Sequence, residues 1–325
     1  MTLQDHHGRR FTYLRLSITD ACNFRCNYCL PDGYQCSDST PHLSVDEIRR
    51  TAMTFARLGT KKIRITGGEP ALRRDLPDTI RAVASVPGIE EVALTTNGWK
   101  LPKLLPAWAD AGLTRLNVSI DSLDPRQFQA ITGHNRLQDL LGGLEVARQL
   151  GFTGIKVNAV LMREHNADQL PRFLEWIRET PVTLRFIELM QTGDNHEFFQ
   201  QNHVRGEDIK AQLLADNWQP VLKNTTDGPA QEFWHPEYAG RIGLIMPYSK
   251  DFCQSCNRLR VSATGQLHLC LFGEQGFDLR PLLASDETLD DAADFVRHCL
   301  DDKKATHALH DGNTGVRTHF AGIGG

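Results

Sequence analysis

The sequence predicts a partial (β/α)6 barrel followed by a C-terminal extension. Two observations carry this. Six strand-then-helix units follow one another within residues 1–190, and that alternation implies a parallel sheet. Several of the strands are apolar on one side and polar or basic on the other. A flat parallel sheet covered on both faces has no place for a polar face, whereas a curled sheet turns it into a lumen. Sites in such folds lie at the C-terminal ends of the strands.

The elements follow in order. Phe11 to Thr19 alternates, with Leu14, Leu16 and Ile18 on one side and Tyr13, Arg15 and Ser17 on the other, which is a strand. Ser44-Val45-Asp46-Glu47 reads as a capping box opening a helix that runs to Gly59. Lys62 to Thr66 is the second strand and ends in Gly67-Gly68-Glu69-Pro70. A helix from Asp75 leads to the strand Val92 to Thr96, and a helix stopping at Gly112 leads to Leu116 to Asp121. One long helix is predicted from Pro125 to Leu150, then a strand from Ile155 to Val160. A helix ending near Pro181 precedes the sixth strand, Leu184 to Met190. Beyond Gln191 the rhythm stops. Asp208 to Leu214 and Asp286 to Lys304 read as helices.

Composition narrows the functional classes. The chain has 325 residues, 40% apolar, with a net charge of −4. That charge leaves no global footprint for nucleic acid, and an anionic ligand would need a local basic cluster. No apolar run is long enough to span a membrane, and the first residues have no secretory signal layout, so a cytoplasmic location is expected. Eight cysteines in such a chain point to metal or redox use rather than to disulfides.

The first strand runs into Cys22-Asn23-Phe24-Arg25-Cys26-Asn27-Tyr28-Cys29. Short local cysteine runs of this kind hold iron–sulfur clusters. Three thiolates for a four-iron cube would leave one iron open to a non-protein ligand. The alternatives are buried core cysteines or zinc, but Asp20, Asn23, Asn27 and the closing Pro31-Asp32-Gly33 are loop chemistry, and zinc usually takes four protein ligands. A second trio, Cys253, Cys256 and Cys270, has C-x2-C-x13-C spacing. Taken alone it also admits a zinc ribbon completed by His268 or another residue. Arg258 and Arg260 sit between its members. With Arg15, Arg64 and Lys156 on inward strand faces they describe a polyphosphate-sized pocket, because buried cations are costly without an anion. Cys36 and Cys299 read as inert thiols.

The first cysteine run resembles the signature of the radical S-adenosylmethionine (SAM) superfamily, with Tyr28 as the aromatic residue before the third cysteine. Gly67-Gly68-Glu69-Pro70 resembles that superfamily's GGEP segment. With Leu94-Thr95-Thr96-Asn97-Gly98, the run from Asn117 to Leu123, the second cysteine trio with its arginines, and Gly324-Gly325, nearly the whole chain resembles the GTP 3′,8-cyclases of molybdenum cofactor biosynthesis. The resemblance implies a lyase with two [4Fe–4S] clusters and SAM as cofactors. Cys22, Cys26 and Cys29 would hold the SAM cluster; Tyr28, Gly68, Ser119 and Met190 would contact SAM. Cys253, Cys256 and Cys270 would hold an auxiliary cluster whose open iron meets guanine. Arg15, Arg64, Thr95, Lys156, Arg185, Arg258 and Arg260 would contact GTP, and the Gly324-Gly325 tail would reach the catalytic cavity.

The reaction implied is abstraction of the ribose 3′ hydrogen by a 5′-deoxyadenosyl radical and C3′–C8 bond formation. It also implies a reductant protein as electron donor, a downstream cyclic pyranopterin monophosphate synthase, no nucleic acid and no membrane partner, and it permits a homodimer. Two departures stand out. Leu30-Pro31 replaces the family's usual Met-Pro, and the tail fits only at its end. The domain division expected is 1–190 for the barrel and 191–325 for the extension. Two other readings remain at this stage: a different, peptide-modifying radical SAM enzyme with an auxiliary cluster, and a non-enzymatic metal-binding regulatory module.

Overall fold

The computed structural model describes residues 2–35, 40–224, 227–273, 276–307, 309, 312, 314, 317 and 319–324. Cys36 and Gly325 lie outside the described residues. The six expected strands form as β1 (Tyr13–Ser17), β2 (Lys62–Thr66), β3 (Glu91–Thr96), β4 (Arg115–Ser119), β5 (Lys156–Leu161) and β6 (Thr183–Glu188). Leu189 and Met190 lie just past the end of β6.

Six further strands come from the C-terminal region: β7 (Gln219–Pro220), β8 (Gln231–Trp234), β9 (Arg241–Ile245), β10 (Arg258–Val261), β11 (Gln266–His268) and β12 (Phe277–Asp278). The described residues form one sheet in the order β12-β11-β10-β1-β2-β3-β4-β5-β6-β9-β8-β7. β9 pairs parallel with β6, and β10 pairs parallel with β1. The parallel part is therefore wider than the six strands expected. Antiparallel hairpins finish both edges. The two ends of the sheet do not pair, so the barrel is partial.

The apolar strand faces meet the outer helices. Leu14, Leu16, Ile63, Ile65, Leu94, Leu116, Val118 and Val157 are all fully buried. Truncating one of these to alanine costs roughly 2–5 kcal/mol through lost transfer energy plus a cavity. The capping box forms as expected. The Glu47 amide donates to Ser44 Oγ at 3.2 Å, and the Ser44 amide donates to Glu47 Oε2 at 2.7 Å, opening the helix Val45–Arg57.

One expectation is corrected. The single helix predicted over Pro125 to Leu150 is two, Pro125–Thr132 and Leu137–Gln149. Gly133 takes φ 77° and caps the first, a conformation glycine adopts without penalty. The stop has a purpose. The carbonyls of Ile131 and Thr132 accept from the amides of Asn27 (3.0 Å) and Arg25 (3.1 Å), and the His134 ring bonds the Asn23 carbonyl at 2.8 Å. A continued helix would use those carbonyls internally, and the cysteine loop would lose its backing. Near the C-terminus, a short 3₁₀ turn (Asp286–Thr288) precedes the helix Leu289–Leu300. Among the described residues no helix is long and apolar enough to cross a membrane.

Candidate active site

Two cavities meet inside the barrel at the C-terminal ends of the strands. The first is lined by Cys22, Cys26 and Cys29, and also by Tyr28, Gly68, Ser119 and Met190. The second is lined by Cys253, Cys256 and Cys270, with Arg15, Arg64, Thr95, Arg185, Arg258 and Arg260. Thr95, Asn158, Ile187 and Met190 line both. The curled sheet thus gathers the two cysteine trios onto one lumen, although more than two hundred residues separate them in the chain.

The first trio is built from the loop after β1. Its floor is the Gly67-Gly68 turn after β2. A Cβ on Gly67 would stand 2.2 Å from the Thr19 carbonyl oxygen, and one on Gly68 would stand 2.3 Å from that of Ala21. Both glycines are needed for the turn to lie against the start of the cysteine loop. The Glu69 carboxylate then locks this turn to the end of β3. It accepts from Thr96 Oγ1 (2.7 Å), the Asn97 amide (2.6 Å) and the Ala71 amide (2.9 Å). Asn97 Nδ2 reaches Asn23 Oδ1 at 3.0 Å and lies 3.9 Å from Cys22 Sγ. On the other side, the Tyr28 hydroxyl donates to Asp121 Oδ2 at 3.0 Å, and Asp121 Oδ1 accepts from the Val160 amide at 2.8 Å.

The electrostatics of the two trios differ. Burial pushes Cys22 and Cys26 up, and Cys29 up to about 12, with neighbouring thiols and Asp121 adding to the effect at Cys26 and Cys29. Burial likewise raises Glu69 to about 7 and Asp121 to about 6. This pocket disfavours bare thiolates, and it takes a strongly cationic group to hold three of them there. At Cys253 and Cys256 burial opposes ionisation but loses. Hydrogen bonds from His307 bring Cys253 down to about 7, and Arg258, Lys303 and Arg9 lower Cys256. Arg9 also clamps this region: it is paired with Asp5 at 2.7 Å and donates to the carbonyls of Ala305 and Lys304 at 2.7 Å each. Among the described residues no three His, Cys, Asp or Glu side chains are set to hold a single metal ion. In a cube each thiolate takes a different iron. The donor chemistry of both trios, soft thiols only, fits such a cluster.

Some expected residues stand elsewhere or do more than expected. Lys156 Nζ pairs with Glu232 Oε1 at 2.6 Å, and this pair lies in a small side cavity with Arg185. Arg185 donates to Asn158 Oδ1 at 2.6 and 2.9 Å. Arg260 donates to the Gly324 carbonyl at 2.6 Å and that of Ile323 at 3.2 Å, so the tail lies in the lumen. His268, the candidate zinc ligand, instead meets the Arg317 guanidinium at 2.9 Å. Cys299 is buried in the core and pushed up to about 11 by burial. Sequence reasoning singled out neither Glu69, Asp121, Tyr13 nor Lys62 as individual site residues. Their signal was available: polar residues on the inward side of a strand, or at its end.

Comparison with known proteins gives the family. Residues 16–177 match the Radical SAM superfamily, and residues 182–309 match Molybdenum Cofactor Synthesis C. A GTP 3′,8-cyclase of Pectobacterium atrosepticum is 57% identical, with 99% of each chain covered. One of Tolumonas auensis is also 57% identical, covering 100% of this chain and 97% of that one. The chain belongs to the GTP 3′,8-cyclase family. Among solved structures, Streptococcus suis SuiB bound to S-adenosylmethionine superposes with a TM-score of 0.64 at 12% identity, covering 91% of this chain and 69% of that one. That likeness concerns the fold alone, the radical SAM partial barrel.

Proposed function

We infer that the chain is a radical SAM lyase that converts GTP to 3′,8-cyclo-7,8-dihydroguanosine 5′-triphosphate in molybdenum cofactor biosynthesis. The observation that carries this is the pair of adjoining cavities, each with its own cysteine trio, in a chain 57% identical to GTP 3′,8-cyclases over nearly its full length. The cofactors are two [4Fe–4S] clusters and SAM. Cys22, Cys26 and Cys29 would hold one cluster, and Cys253, Cys256 and Cys270 the other. When bound, the reduced first cluster and SAM supply the 5′-deoxyadenosyl radical that starts the reaction at the ribose C3′.

The chain's own residues do the positioning. Tyr28, Gly68, Ser119 and Met190 border the first cavity and would contact SAM. Arg15, Arg64, Thr95, Arg185, Arg258 and Arg260 would bind GTP between the two trios. Charge-assisted bonds from guanidinium groups suit phosphate oxygens. Lys156 would join them by exchanging Glu232 for phosphate. Met190 and Ile187, shared by both cavities, would bring the ribose up to SAM and keep water away. The Gly324-Gly325 tail would complete the cavity wall.

The wider setting belongs to the same reading. Residues 1–190 would act as the barrel with the SAM cluster, and 191–325 as the part that carries the auxiliary cluster and the Gly-Gly tail, with GTP bound by residues of both. The protein works in the cytoplasm, takes electrons from a reductant protein and hands its product to a cyclic pyranopterin monophosphate synthase, with homodimerisation compatible. The test is anaerobic reconstitution followed by incubation with SAM, a reductant and each nucleoside triphosphate in turn. GTP alone should give a product of unchanged mass, since the reaction is an isomerisation. SAM cleavage with no such product from GTP would sink the assignment.

A further inference from the structure

Six inward-facing positions form a block on three neighbouring strands. Tyr13 and Arg15 lie on β1, in register with Lys62 and Arg64 on β2 and with Arg258 and Arg260 on β10. Five of the six are cations, and adjacent strands in a sheet stand only about 5 Å apart. Like charges set side by side repel. Tyr13 is the sixth position, and it sits in the middle strand with a cation on each side. It is 3% exposed. Its hydroxyl oxygen accepts from Arg64 Nε and is also hydrogen-bonded by Arg15. Lys62 Nζ lies 5.3 Å from its ring centroid, and the Arg64 guanidinium carbon lies 5.7 Å away. Arg185 faces it from across the lumen on β6. Of the nearby carboxylates, Glu91 pairs with Lys62 of the block and with Arg115 at 3.2 Å, and Glu232 pairs with Lys156.

We propose that Tyr13 is a positioning residue for the nucleotide: it serves as the pocket's built-in anion, holding the Arg15 and Arg64 guanidinium groups in place, and it takes up a proton when a triphosphate arrives. This rests on the reading of the second cavity as the GTP site. The titration of the group agrees. Burial alone would raise the phenol, but Arg64, Arg15 and Lys62 bring it down to about 7. Above that pH the free enzyme holds a phenolate. A bound triphosphate takes over the two guanidinium groups and adds negative charge, so the phenol regains its ordinary basicity. The proton comes from solvent, and no bond of the nucleotide changes. By linkage, GTP affinity must then fall as pH rises from about 7 toward 10, by up to tenfold per unit.

The test uses the reconstituted holoenzyme and its Tyr13→Phe variant. GTP binding is followed by calorimetry in buffers of different ionisation enthalpy, at about one pH unit above the phenol's value. The parent should take up close to one proton more than the variant, and its affinity should fall more steeply with pH. Equal proton counts and equal slopes would overturn the proposal. A merely structural role would change stability but not the proton count. If the variant fails to hold its iron, the parent decides alone. Its tyrosinate absorbance should drop when GTP is added, and an unchanged band refutes the idea. A parent that binds no GTP at all would instead remove the reading of the cavity on which the proposal stands.

Discussion

Arg258 and Arg260 are two residues apart on one strand, yet the structure gives them different work. Arg258 lies over the Phe252 ring, 5.8 Å from its centroid, with its charge toward the second cavity. Arg260 donates from Nη1 to both tail carbonyls, besides bordering the second cavity. Arg258→Ala should weaken GTP binding roughly tenfold to a hundredfold, the loss of one charge-assisted contact of about 1.5–3 kcal/mol. SAM cleavage should survive. Binding isotherms check this, and unchanged GTP affinity would separate Arg258 from the substrate. Glu69 offers a pH test at the same scale. Its folded value of about 7 lies above the ordinary 4.5. Below the ordinary value both folded and unfolded chains hold the proton. As pH rises toward 7 the unfolded chain releases it first, so stability is lost over that window and no further above it. The loss is at most about 3 kcal/mol. The apo-protein's thermal midpoint should therefore fall more between about pH 5 and about pH 7.5 than that of Glu69→Gln. Parallel curves would show that Glu69 carries no such penalty.

The tail is the element whose role the structure sharpens most. Residues Ala321–Ile323 form a 3₁₀ turn, and Gly324 follows with φ 68°. A Cβ there would stand 2.1 Å from Thr66 Cγ2, at the end of β2. Glycine is required twice over, for its backbone angle and for the space. Gly324→Ala should therefore act like removal of both terminal glycines: product formation falls at least about tenfold, while both clusters and GTP binding remain. Because Arg260 holds the same carbonyl, Arg260→Ala combined with Gly324→Ala should cost much less than the sum of the two single effects. Product yields per SAM cleaved would reveal it. Full additivity would mean that the Arg260–tail contact has no part in turnover. The paired short helices at 125–132 and 137–149 belong to the same scale, since the break exists to lend carbonyls to the cysteine loop.

At the scale of the whole molecule, one sheet carries both cysteine trios. Because β10 lies against β1, the second cysteine trio is tied to the strand that launches the first. Reconstituted protein should hold about eight irons, two cubes of four. Cys26→Ala should remove about half of them and abolish SAM cleavage, leaving the second trio loaded. Iron and sulfide analysis decides it. Cleavage that persists after the iron is lost would detach this loop from the chemistry. The two sites are also expected to load independently, since burial holds the first trio's thiols up while cations pull two of the second trio's down.

The alternation of Leu14-Arg15-Leu16 and Ile63-Arg64-Ile65, the capping box at Ser44 and the stop at Gly112 are local patterns, and local patterns were enough to place six strands and most helices. The cysteine spacings were enough to point to clusters. Those signals survive in sequence because each depends on residues a few positions apart. The pairings that complete the molecule do not. Nothing near Arg258 says that its strand lies beside Tyr13, and nothing near Gly324 says that it ends against Thr66. The helix break at Gly133 was hidden because its reason, the amides of Arg25 and Asn27, lies a hundred residues away. Nothing near Lys156 says that Glu232 stands opposite it. The chain by itself determined which side chains face inward, since strand periodicity is local. Only the tertiary structure decided which of those side chains share a neighbour, because the charge state of Tyr13, the thiols and the buried carboxylates depends on distances that the fold alone sets.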